Sequence, residues 1–155
     1  MTPSQARNAI KRSLKALIDP KPNKVAKEKI WQFFDYQCAY CARKLSPKDR
    51  NAHIDHVIAE SDGGSNQLCN LILTRAICNG DEKREMDWQT FLLQKCQGET
   101  AEYHQRYNNI IQWFSEQPGS VTITDEQQAQ LDSAFDLINK QYSHSVEQLR
   151  KQYKY

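Results

Sequence analysis

HIDHVIAESDGGSNQLCNLILTRAICN, residues 53–79, is the stretch whose reading decides the fold. With Ala52 in front of it, AHIDHVI (residues 52–58) reads as a strand, SDGGSN (61–66) as a polar glycine-rich loop, and residues 68–74 as a second short strand. A helix beginning near Arg75 or Ala76 then carries Cys78 and Asn79 in its first turn. The segment sets a carboxylate beside an imidazole at Asp55-His56 and returns two amides, Asn70 and Asn79. Hydrolysing a phosphodiester requires an activated water and a counter-charge for the developing negative oxygens. An imidazole takes up protons near neutral pH. A hard divalent cation such as Mg²⁺ takes oxygen ligands, which Asp and Asn supply.

Outward from this segment the chain reads as helical on both sides. Residues 3–18 place Ile10, Leu14, Leu17 and Ile18 at spacings of three and four, and Pro20 and Pro22 interrupt that stripe. A second helix over residues 23–35 is expected to bury Val25, Ile30, Trp31, Phe33 and Phe34. Downstream, Asp87 is a natural N-cap for a helix that packs Trp88, Phe91, Leu92 and Cys96 inward. Residues 99–117 carry Tyr103, Tyr107, Ile110, Ile111 and Phe114 on one side. From Asp125 a long helix spaces Leu131, Phe135, Ile138, Tyr142, Val146, Leu149 and Tyr153 alternately by four and three, which marks a packing seam. That seam suits the preceding helix, a second copy, or a partner protein.

The 155 residues, 39% hydrophobic and 26% charged, suit one soluble domain with helical extensions. No run approaches the roughly 18 apolar residues of a membrane span, and the N-terminus lacks an apolar leader. The expected location is the cytoplasm, with no membrane involved. Five cysteines are an odd number, and the close pair Cys38-x-x-Cys41 points to metal or redox chemistry rather than disulfides. Net charge is +2, but residues 1–30 carry eight Lys/Arg against Asp19 and Glu28, and Arg150, Lys151 and Lys154 close the chain. Basic ends on a near-neutral body suit a polyanion held through its phosphates; solvated helix faces account for them equally.

Taken together, Cys38-x-x-Cys41, His53-x-Asp55-His56, Gly63-Gly64, Asn70-Leu71, Cys78-Asn79 and Lys83 resemble the HNH endonucleases over about residues 36–90. The resemblance implies a mostly helical α+β fold. A small ββα-metal (His-Me finger) core at residues 36–97 would stand between a basic helical extension, 1–35, and a helical C-terminal extension, 98–155. It implies a metal-dependent endonuclease that hydrolyses DNA, with His56 as general base and Asp55 and Asn79 on one Mg²⁺ or Mn²⁺. Asn79 stands where many members carry a third histidine, which makes this an H-N-N variant. Asn70 would hold the loop and the His56 backbone in register. Arg75, Lys83 and Arg84, with Lys11 and Arg12 of the basic N-terminal helix, are candidates for phosphate contacts. His53 would have a structural role on the hairpin or support the site.

Two departures from the family stand out. Ala59 occupies a position where proline is frequent, and Arg75 stands where zinc-bearing members have the partner of Cys78. Cys38, Cys41 and Cys78 are left as three ligands of a structural Zn²⁺ that wants four. Cys69 becomes the fourth only if the second strand bends; otherwise the thiols pack as ordinary core. Small family members often serve in restriction or anti-phage defence beside a second subunit, and here the C-terminal helices are the candidate surface for such a subunit or for a homodimer. The alternatives are a catalytically weak nucleic-acid-binding module and a zinc-knuckle adaptor on the same scaffold.

Overall fold

The computed structural model describes residues 1–84 and 86–153; Lys154, counted above in the C-terminal basic cluster, lies outside them. The fold is mostly helical α+β with one two-stranded antiparallel sheet. It divides into two compact units, one made of residues 1–20 with the chain from Ile123 onward, the other of Lys21–Thr122.

In the first unit, α1 (Pro3–Ile18) begins at a capping box between Thr2 and Gln5. It packs against α5 (Asp125–Gln152), which opens on a second capping box at Thr124 and Gln127. The two helices run antiparallel. Arg7 donates to the Ser143 hydroxyl at 3.2 Å, and the Lys11 ammonium lies 5.8 Å from the Phe135 ring centroid. The seam of α5 therefore meets α1, more than a hundred residues away, and Leu131 is buried while Ile138 and Leu149 stay exposed. No helix among the described residues is long and apolar enough to cross a membrane.

The second unit holds the sheet. Here α2 (Lys24–Phe33) starts where the Asn23 side chain accepts from the Ala26 amide, and it stops where Asp35 and Tyr36 take positive φ. Val25 is 67% exposed, contrary to expectation, because it lies about 140° around the helix from buried Ile30. β1 (Ala52–His56) and β2 (Leu71–Arg75) pair with Asp55 opposite Ile72 and His56 opposite Leu71. A π-helical segment, Ile77–Lys83, follows β2 in place of an ordinary α-helix. Then come α3 (Trp88–Lys95), capped by Asp87, and α4 (Ala101–Glu116), capped by Thr100. Leu71 to Thr74 of β2 are buried, packed among Ile30, Phe34, Tyr40, Leu92, Ile110 and Trp113. The Trp113 indole donates to the carbonyls of Leu68 and Leu71, which ties α4 to the entry of β2.

Both strands are shorter than their alternation suggests, for one reason. Val57 and Ile58 turn their amides to the backbone and side-chain oxygens of Asn70, each at 2.9 Å, so β1 ends at His56. Leu68–Asn70 becomes a 3₁₀ turn instead of strand. The loop between them needs both glycines, on different grounds. Gly63 has φ +83°, whereas a Cβ at Gly64 would lie 1.9 Å from the Ile58 carbonyl oxygen. Ala59, by contrast, already has a proline-like φ of −60°. Chemical denaturation should therefore separate the two positions: Gly64→Ala loses about 1–3 kcal/mol of stability, while Ala59→Pro gains about 0.4–1 kcal/mol.

Candidate active site

Asn70 is fully buried and organises the loop that follows His56. Its Nδ2 donates to the carbonyls of Ile58 (3.0 Å) and Ser65 (2.9 Å), and its Oδ1 accepts from the Ile58 amide (2.9 Å). With Ser65 fixed, Asn66 comes to His56, its Oδ1 3.1 Å from the ring Nε2. An amide oxygen only accepts, so in this contact Nε2 is the donor. Asn66 read in the sequence only as a loop residue. The only signal for it was an amide directly after the Gly-Gly-Ser turn.

Adjacent residues on a strand point to opposite faces. His56 is half-buried beside Asn66, while Asp55 is buried among other groups. Its Oδ2 lies 3.6 Å from the Lys83 Nζ and has no hydrogen-bond partner. Lys83 also donates to the His56 carbonyl at 3.3 Å. Burial pushes the Asp55 carboxyl above its usual pKa, against the opposing charge of Lys83. The fully buried Tyr40 hydroxyl is also without a partner, and its pKa is raised by burial first and by the Asp55 charge second. Asn79 lies four residues before Lys83 on the π-helical segment, about one turn away. A buried carboxylate oxygen without a hydrogen-bond partner among the described residues is a hard-oxygen donor of the kind a divalent cation takes.

The Cys38, Cys41 and Cys78 sulfurs lie within 4.8 Å of one another. The knuckle that carries the first two docks on β2 through the Ala39 amide, which donates to the Leu73 carbonyl. Hydrogen bonding to Cys38 first and Cys78 second holds Cys41 far below the ordinary thiol pKa, while Cys78 is raised by its bonding to Cys38 first and to Cys41 second. Cys69 is buried but does not join this group, so β2 does not bend to deliver it. Arg75 borders the arrangement: its backbone amide donates to the Cys38 sulfur at 3.3 Å, and the neighbouring Cys41 raises the pKa of its guanidinium.

The expected phosphate contacts are thus dispersed. Arg75 is turned to the thiols and Lys83 is buried against Asp55, while Lys11 and Arg12 belong to α1 in the other unit. Arg84 is exposed and lines a cavity together with Ile58 and Asp62 of the loop. His53 is exposed as well, with its carbonyl accepting from the Thr74 hydroxyl at 3.4 Å.

Lys83→Met leaves Asp55 as a buried carboxylate without a counter-charge, at an expected cost of about 3–5 kcal/mol near neutral pH. Asp55 has a raised pKa in the folded state, so its neutral form is the one the fold favours. The deficit should be smallest in acid and grow as pH rises through the Asp55 titration. Urea melts of both proteins over a pH series measure this.

No curated protein matches the chain. Residues 38–85 match the family model described as HNH endonuclease, the family whose resemblance was read at Asp55-His56, Asn70 and Asn79.

Proposed function

We propose that the protein is a metal-dependent endonuclease that hydrolyses DNA phosphodiester bonds. The observation that carries this reading is the end of β1, where the His56 ring is held at Nε2 by Asn66 on one face and Asp55 keeps a bare Oδ2 on the other. An in-line displacement puts the attacking water and the leaving oxygen on opposite sides of phosphorus. Two neighbouring residues on opposite faces of one strand end suit those two roles. His56 Nδ1 removes the proton from the attacking water, and the Nε2 bond to Asn66 keeps the ring aimed as the charge develops. Asp55 and Asn79 would hold Mg²⁺ or Mn²⁺, which supplies positive charge for the transition state and the leaving oxygen. Lys83 balances Asp55, and Asn70 positions the loop without touching the substrate.

The same reading assigns a structural Zn²⁺ to Cys38, Cys41 and Cys78. Zinc–sulfur bonds of about 2.3 Å are compatible with sulfurs this close. Three thiolates around a divalent ion leave one negative charge in excess, and the Arg75 guanidinium at Cys41 is placed to offset it. A homodimer or a second subunit through α5 belongs to the proposal too, supported by the exposed Leu137, Ile138 and Leu149.

Plasmid cleavage with added Mg²⁺ or Mn²⁺ tests the chemistry. His56→Ala should lower the rate about 10²–10⁴-fold while the far-ultraviolet circular dichroism stays that of the parent. Equal cutting by both proteins, or none by either on DNA or RNA, would sink the reading. Zinc is measured separately, as metal content after purification without added metal. We expect one ion per chain, retained longer against a chelator in Arg75→Cys, which completes a four-thiol set; a metal-free protein of unchanged stability would mean that the thiols are plain core.

A further inference from the structure

With Lys83 buried against Asp55, two exposed lysines among the described residues stand on the His56 side instead. A cavity of about 530 Å³ in the Lys21–Thr122 unit has His56 and Asn66 on its wall and the exposed Lys21 and Lys27 along it. That volume falls in the roughly 300–1,000 Å³ range of ligand pockets. Much of the remaining lining is apolar, notably Pro22, Pro47 and Ile54. The two-residue period of β1 explains why Ile54 and His56 share this face. Lys21, Pro22 and Lys27 lie outside residues 38–85, so the cavity is completed by parts of the chain beyond the HNH match.

Two ammonium groups, flat apolar surfaces and an amide, all next to the water-activating imidazole, match the chemistry of one nucleotide. Its phosphates need cations, and its base needs an apolar face to lie against. Resting on the nuclease reading, we propose that this cavity holds an unstacked nucleotide next to the bond that is cut. Lys21 and Lys27 contact its phosphates, and its base lies against Pro22, Pro47 and Ile54. A base in such a cavity has left any duplex stack, so the substrate class is single-stranded or locally opened nucleic acid.

Full-length His56→Ala protein, titrated with a labelled single-stranded DNA oligonucleotide over a salt series, tests this without turnover. Replacing both exposed lysines (Lys21→Gln with Lys27→Gln) should weaken binding. The slope of log affinity against log salt should shrink by about 0.7 for each lysine lost. A strand of abasic residues should bind at least about fivefold more weakly than the normal strand, and Pro22→Ser with Pro47→Ser should narrow that difference. An unchanged salt slope in the lysine variant, or an abasic strand bound as tightly as the normal one, overturns the cavity assignment. Plasmid cleavage by the parent is scored in parallel. Cutting with an unaltered salt slope removes only the cavity proposal, whereas nucleotide binding at these residues without any cutting removes only the catalytic one.

Discussion

Asn70 has no contact with solvent, and both ends of its side-chain amide are bonded to the backbone that follows β1. Three backbone groups, two on Ile58 and one on Ser65, depend on that one amide. An apolar side chain there would leave them buried without partners. The consequences run outward from this clamp. Ile58 and Ser65 are drawn within reach of one residue, which brings the chain at Gly64 against the Ile58 carbonyl and excludes a Cβ. Ser65 is fixed from its other side by Ser120 and Val121, and Asn66 is thereby carried to the His56 ring. The His56 ring is thus held by a loop that a residue fourteen positions later keeps shut.

Charge is handled in the same way at both places where a metal is proposed. Asp55 is buried beside Lys83, and Cys41 sits beside Arg75. Asp55 would otherwise be an isolated charge in a poorly solvated position, and at the thiols Cys41 has its pKa lowered with Arg75 as a neighbour. Both cations look like surface residues in the sequence, where helix and strand ends commonly display Lys and Arg. The fold turns Lys83 inward because Asp55 lies buried within its reach, whereas Arg75 stays half-exposed beside Cys41. Lys21 and Lys27, near β1, remain exposed.

Much of the architecture was legible in the chain because its signals are local. The stripe in α1, the Asp87 cap of α3 and the break at Pro20 act over a few residues, within reach of periodicity and capping. The Asp55-His56 pair and the spacing to Asn70 and Asn79 were legible too, because neighbours on a strand and a returning hairpin leave little freedom in where those groups lie. The strand ends were less so. Residues 57–58 and 68–70 are apolar enough for strand, but their amides are taken by Asn70 and by a 3₁₀ turn.

By itself, then, the sequence determined the mostly helical α+β class and the hairpin that carries Asp55 and His56. Only the tertiary structure decided their partners: Asn66 for His56, Lys83 for Asp55, Arg75 for Cys41, and α1 rather than a neighbouring helix for the seam of α5. It also decided that Cys69 stands apart from the other thiols. The reason is physical. Spacing along a chain fixes which face of an element a side chain occupies, but not which distant element that face meets. That choice is made by the joint packing of the core and the need to satisfy every buried polar group.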